Sequence, residues 1–491
     1  MASFYEESFS GATWAPGSAT GANSMGRSSG KNGARNHIVT LDRFSAAWHP
    51  AAAPVQRSVH GLCSGLAFPD AVLYLRSGMT SRERVLAAIA HNEPDRVPLD
   101  HGSMRSTGIM AIAYNRLKAH LGVGEPPTLL YDLIQQLAQP DAWYLDRFHV
   151  DVVDLGRALT TPQDWKPWTL PDGSPAMAPA WFCPERADGG LLVRGPGGTI
   201  IGRMPAGALF IDQCYWPLSA PEGLDSYEPL PEKMSQVTWS AIGAPPWDRP
   251  ATDARLEEIG CAARHLHDTT EYAISLSVGC NLFEWSQYLF GMENLYLYLA
   301  SEKRKLARFL DRLTELHLES LSRILPKVRG SVEILVVGDD LGMQTGPQMS
   351  RATYRELFLP RHKRIYNHAR DLSGAHIFLH CCGGVYQLIP DLIEAGVEIL
   401  NPVQTGARYM EPERLKREFG RDLTFWGGGC DTQGLLASGT PEQVRDDVRR
   451  RLEIFMPGGG YVWNQVHNVM ADVPPENVVA MLEAAHEFGC Y

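Results

Sequence analysis

Residues 376–382 read HIFLHCC, and residues 332–339 before them read VEILVVGD. Both runs are dense in β-branched and aromatic residues, the composition of strands buried on both faces. Between them Ser350 opens a stretch of helical period over Arg351–Arg370. Strand, helix and strand in succession predict parallel pairing. The same alternation recurs on either side of this pair. Before this pair lie Arg96–Gly102 (RVPLDHG), Val150–Gly156 (VDVVDLG) and Tyr272–Gly279 (YAISLSVG). After it come Val397–Val403 (VEILNPV), Leu423–Cys430 (LTFWGGGC) and Tyr461–His467 (YVWNQVH). Helical patterns follow at Tyr386–Glu394, at Thr440-Pro441-Glu442 onward to Phe455, and at Pro475–Phe488 with Gly489 beyond. Eight strand–helix units predict an α/β fold closed into a (β/α)8 TIM-type barrel rather than an open doubly wound sheet.

The bulk properties suit one large core. The chain has 491 residues, 44% hydrophobic and 21% charged, enough apolar material for a barrel with insertions. A net charge of −11 argues against a nucleic-acid partner, which needs a basic surface. Nine cysteines at irregular spacing argue against a disulfide framework and for a reducing, cytoplasmic setting. No apolar run reaches membrane-spanning length, so no membrane role is expected.

Residues 1–78 are rich in Gly, Ser, Ala and Asn without a sustained period, which predicts a disordered or misassigned N-terminal extension. The barrel is expected over 79–491, opening with the capping box Thr80-Ser-Arg-Glu83. About 157–271 break the rhythm. Punctuation at Gly195-Pro-Gly-Gly198 predicts hairpins, and hence a β-rich insertion after the second run, a flap over one barrel mouth, with a helix near Arg255–His267 leading out of it.

In such barrels the site lies at the C-terminal ends of the strands. Those ends are polar here. On a strand, His380 and Cys382 face one way and Cys381 the other. An imidazole and a thiol on one face are natural zinc ligands; the bland alternative is a small buried cysteine beside a hydrogen-bonded histidine. A third ligand could come from His467 at the end of the last run or from Cys430 at the end of the seventh. Asp339 and Asp340 form an adjacent carboxylate pair in which a raised pKa would suit acid–base work, or one simply caps a turn. Glu284 is a similar candidate. Asp340 and Glu284 are taken as catalytic candidates, and Asp339, Gln344, Asn401 and Gln404 as substrate contacts. The triple glycines 427–429 and 458–460 match no phosphate-binding pattern and read as tight turns.

The stretches Thr80–Pro98, Gly338–Gln344 (GDDLGMQ), Arg355–Arg361, Phe378–Gly383 (FLHCCG), Asn401–Gln404, Phe425–Gln433 (FWGGGCDTQ) and Gly459–Asn477 resemble the uroporphyrinogen decarboxylase superfamily. The resemblance spans about Met79 to Tyr491, strongest after Tyr272, and implies a (β/α)8 barrel. True decarboxylases of that superfamily carry an arginine-rich loop of the form M-R-Q-A-G-R-Y after the first strand. Here it reads Leu99-Asp-His-Gly-Ser-Met-Arg105, with one arginine, which departs from the needs of an acidic tetrapyrrole. The chain looks nearer to the corrinoid-linked methyltransferases, which hold zinc through H-x-C and a distant cysteine. His380 and Cys382 match the first two, and His467 stands where that cysteine is expected.

The resemblance therefore implies zinc-dependent methyl transfer between a small methylated substrate or thiol and a corrinoid. No D-x-H-x-x-G corrinoid signature occurs in the chain, so the corrinoid would ride on a separate protein, and a homodimer is the expected assembly. The alternatives are decarboxylation of an acidic tetrapyrrole or smaller acid, and a non-catalytic ligand-binding barrel.

Overall fold

Strands buried on both faces need side chains packed inside the sheet and helices outside it, and this sheet is built that way. The computed structural model describes residues 78–491. The extension expected over 1–78 lies, but for Gly78, outside the described residues.

Seven strands pair in chain order, every neighbour parallel: β1 (Val152–Asp154), β2 (Ala273–Gly279), β3 (Ile334–Gly338), β4 (His376–His380), β5 (Ile399–Asn401), β6 (Thr424–Trp426) and β7 (Tyr461–Val462). Side chains alternate across this curled sheet. Val152, Ala273, Ile334, Val336, Phe378, Ile399, Trp426 and Val462 form one buried cluster, the barrel interior. Their sequence neighbours Val153, Ile274, Leu335, Val337, Ile377, Leu379, Leu400 and Phe425 join the larger core beneath the helices. Trp426 and Phe378 meet edge to face across the interior, centroids 5.3 Å apart. The helix Ser81–Ile89 adds Val85, Ala88 and Ile89 to the same interior cluster. Its capping box forms: the Thr80 hydroxyl oxygen accepts from Glu83 N at 3.1 Å, and Thr80 N donates to Glu83 Oε2 at 2.8 Å.

The first expected run, Arg96–Gly102, is the exception. It makes isolated bridges, Leu99 with Trp463 and Arg96 with Cys490, instead of a ladder. Pro98 has no N–H to give, and Leu99 N is drawn to the Asp151 side chain at 2.8 Å. The run still closes the barrel. Asp151 N donates to Leu99 O at 2.7 Å on one side; Trp463 N donates to Pro98 O at 2.9 Å and Asp100 N to Trp463 O at 3.0 Å on the other. Buried Asp151 also accepts from Arg84 Nη1 at 2.7 Å and Arg96 Nη1 at 2.7 Å, which fastens this seam at its lower end. The fold is thus a TIM-type barrel with seven laddered staves and an eighth held by single bonds.

Two other expectations are refined. The helix expected over Arg351–Arg370 breaks at Phe358 into Arg351–Leu357 and Leu359–Ser373, because Pro360 lacks the N–H that would continue the ladder. The helix expected at Tyr386–Glu394 begins as a 3-10 turn, Tyr386–Leu388, before Ile389–Ala395. Between β1 and β2 lie a hairpin (Trp165–Thr169 with Pro175–Pro179), a four-stranded antiparallel sheet (Glu185–Ala187, Gly190–Arg194, Ile200–Met204, Asp212–Gln213) and the helix Asp253–Thr269. Among the described residues no helix is long and apolar enough to cross a membrane.

Candidate metal centre

Interior parity carries His380 to the barrel mouth. It shares a side with Phe378, whereas Cys381 joins the outer core with Ile377 and Leu379. The chain then turns at Gly383, whose φ of 85° suits glycine; a Cβ there would meet the Gly342 backbone at 2.4 Å. That turn leaves the Cys382 sulfur 3.4 Å from His380 Nε2. His467, one turn past β7, sits at φ 65° and puts its ring 5.5 Å, centroid to centroid, from that of His380. Ligand atoms of His380, Cys382 and His467 all lie within 4.8 Å of one another. Tetrahedral zinc with nitrogen and sulfur ligands has a nitrogen–sulfur edge of about 3.5 Å, which the first pair already meets. Burial pushes the His467 ring down to about 3, so it is a neutral imidazole with a lone pair to give. The Cys382 thiol is pushed well up by burial and by Asp340, the direction that a bound cation reverses. Two imidazoles and a thiol are a donor set that fits zinc.

The two aspartates part ways. Asp340 keeps the parity of Gly338 and faces the cluster: its Oδ1 accepts from Cys382 N at 2.8 Å and lies 3.7 Å from His380 Nε2. Burial raises its carboxyl pKa, with His380 working against the rise. Asp339 has the parity of Leu335 and Val337 and points outward. Its carboxylate accepts from the backbone N–H of Leu282 (3.2 Å), Phe283 (2.9 Å) and Glu284 (2.9 Å), and from His362 Nε2 at 3.0 Å. It is completely buried, so in place of the expected substrate contact it holds the start of the helix Phe283–Phe290. That helix carries Glu284, whose Oε1 accepts from Tyr288 Oη at 2.7 Å and whose Oε2 accepts from Asn281 Nδ2 at 2.5 Å and Asp340 N at 3.3 Å. Burial, then Asp340 and Asp339 nearby, push Glu284 up to about 8.

Asn401 is likewise completely buried, and so offers substrate no surface. Its Oδ1 lies 2.7 Å from His380 Nδ1 and its Nδ2 donates to the Trp426 carbonyl at 2.9 Å. Gln404 Oε1 accepts from Gly383 N at 2.8 Å, bracing the cysteine turn while its amide end reaches Gln433 at 3.4 Å. Gln344 is exposed between the short strands Gly342–Met343 and Gly346–Pro347, and its carbonyl accepts from Arg408 N at 2.9 Å. Cys430, the alternative third ligand, stays out of the cluster. It is completely buried in the outer core, its sulfur 3.9 Å from the Asp431 carbonyl.

Three contributors escaped the sequence reading. Ser106, in the loop after the first run, donates to Asn401 Oδ1 at 3.0 Å. His362 supports Asp339 from an outer helix, and Tyr288 supports Glu284 from one turn along its own helix. Only Tyr288, at i+4 from Glu284, left a spacing signal.

Among curated proteins, the uroporphyrinogen decarboxylase of Methylococcus capsulatus is 46% identical over 61 residues, 12% of this chain and 17% of that one. That of Pseudoalteromonas translucida is 27% identical over 192 residues, 38% of this chain and 50% of that one. The chain therefore spans half or less of the length of these two relatives. Among solved structures, a methyltransferase from Methanosarcina mazei aligns at 14% identity and a TM-score of 0.47, covering 84% of this chain and 99% of that one. The family described as uroporphyrinogen decarboxylase (URO-D) matches residues 248–488, a span that opens beyond most of the segment between β1 and β2 and holds β2 to β7 with all three clustered side chains. Residues 248–488 thus form a domain of the uroporphyrinogen decarboxylase (URO-D) family.

Proposed function

We propose that this chain is a zinc-dependent methyltransferase, moving a methyl group between a small methylated substrate or thiol and a corrinoid carried by a separate protein. The observation behind it is the convergence of His380, Cys382 and His467 at the barrel mouth. Zinc held there would supply Lewis acidity to the leaving atom of a methyl donor, or lower the pKa of an acceptor thiol. The chain's own groups do the rest. Asp340, with Oδ1 committed to Cys382 N, offers Oδ2 to take a proton from an incoming thiol or return one to a leaving group. Glu284 stays protonated near neutral pH and keeps a second negative charge away from Asp340. Gln404 and Gly383 hold the cysteine turn in place.

Metal analysis of protein purified under reducing conditions tests the reading. About one zinc per chain is expected in the wild type, with loss in Cys382→Ala and His467→Ala and retention in Cys430→Ala. Wild-type protein that neither carries nor takes up zinc overturns it.

A second reading is decarboxylation of an acidic tetrapyrrole or smaller acid. Its support is the name of the curated relatives together with Arg105 in the loop after the first run. That guanidinium is already engaged, its Nε 2.6 Å from Asp132 and its plane 5.2 Å from the Trp239 ring centre, which favours the first reading. Turnover of uroporphyrinogen unaffected by a chelator would reverse the order.

A further inference from the structure

An imidazole can ligate through a nitrogen only if its proton sits on the other nitrogen. What decides this for His380 lies behind it. Asn401 is completely buried, and its side-chain amide has three neighbours: the Trp426 carbonyl, the Ser106 hydroxyl and His380 Nδ1. The Trp426 carbonyl can only accept, so at 2.9 Å it requires the NH2 end of the amide. Turning the amide over would set two oxygens against each other in a dry interior. Oδ1 therefore faces Ser106 and His380, and its two lone pairs accept one proton from each.

We infer that Asn401 is a positioning residue that holds His380 in its Nδ1–H tautomer and so presents Nε2 as the electron-pair donor facing Cys382 and His467. Ser106 completes the arrangement and joins the loop of the first run to the ligand set. The tautomer follows from hydrogen bonding alone; its consequence for zinc rests on the reading above.

The test uses metal-free, histidine-labelled protein at about pH 8.5, two units above the ordinary histidine value of about 6.5. Long-range nitrogen–proton correlation should show His380 protonated at Nδ1 and bare at Nε2. Asn401→Leu, checked for folding by thermal melt, should scramble the tautomer and weaken cobalt binding 10- to 100-fold, the usual effect of losing such a partner. Asn401→Asp keeps an acceptor and should restore Nδ1–H and bring cobalt affinity to within about tenfold of wild type. Nε2–H in the wild type, or a folded Asn401→Leu that binds cobalt as tightly as wild type, overturns the inference. Wild-type protein that ignores cobalt sinks the zinc reading, while the tautomer spectrum still decides this one.

Discussion

Replacing Asp339 by asparagine separates support from chemistry in the adjacent carboxylate pair. The native carboxylate takes three backbone N–H groups and the His362 ring proton, all out of solvent. Asparagine has one acceptor oxygen, so an NH2 group must face either the helix start or His362. His362 can adapt by exchanging tautomers with the Tyr354 hydroxyl 3.1 Å from its other nitrogen. The backbone N–H of Leu282 cannot. Bonds to a charged group contribute about 1.5–3 kcal/mol each, and an orphaned buried donor costs about 1–3 kcal/mol, without full additivity. A loss of about 3 kcal/mol is the central expectation. With an unfolding entropy of about 2.1 cal/mol/K per residue, that lowers Tm by roughly 3–4 °C for a domain of this size. Urea titration of Asp339→Asn and Asp340→Asn measures it directly. A stability change below about 1 kcal/mol in Asp339→Asn, or a larger loss in Asp340→Asn, would refute the division of roles.

Other outcomes follow from the same structure. Asp151→Ala leaves Arg84 and Arg96 without their shared buried partner and should cost about 3–5 kcal/mol, measured by denaturant melts. Glu284 binds a proton more tightly folded than unfolded, so its contribution is greatest below about pH 4 and is lost as pH climbs towards about 8. Stability of the wild type relative to Glu284→Gln should thus fall by up to about 1.4 kcal/mol per pH unit in that window, and a flat difference would contradict it. Cys430→Ala should keep full zinc while losing about 1–2 kcal/mol of stability, as expected for a small buried side chain outside the site.

The barrel was legible because its strands are buried on both faces and so read as unbroken apolar runs. Where a side chain replaced a backbone partner, as Asp151 does for Leu99, no pattern in the run Arg96–Gly102 could reveal the missing ladder. Parity placed His380 and Cys382 together and Cys381 apart. The same parity, carried one step further, assigns Asp339 to the side of Leu335 and Val337, so its turn away from the mouth was readable in principle. Asn401 shares the parity of Ile399, which faces inward. Parity shows that it faces inward, but not that Trp426 and Ser106 consume its amide. Those partners lie 25 and 295 residues away in the chain, and only folding brings them close.

The seam of the barrel also sets an order of events in time. Pro98 O and Asp100 N bond to Trp463, and Val97 N donates to Gly489 O at 2.7 Å. On a ribosome adding 5–20 residues per second, the last stave emerges roughly 20–70 s after the first. Throughout that interval the side of the first stave that will meet Trp463 is an unpaired edge. Its short length, its proline and the early capture of Leu99 by Asp151, some 50 residues behind it, give it a local partner while it waits. The cluster of His380, Cys382 and His467 can assemble only when that wait ends.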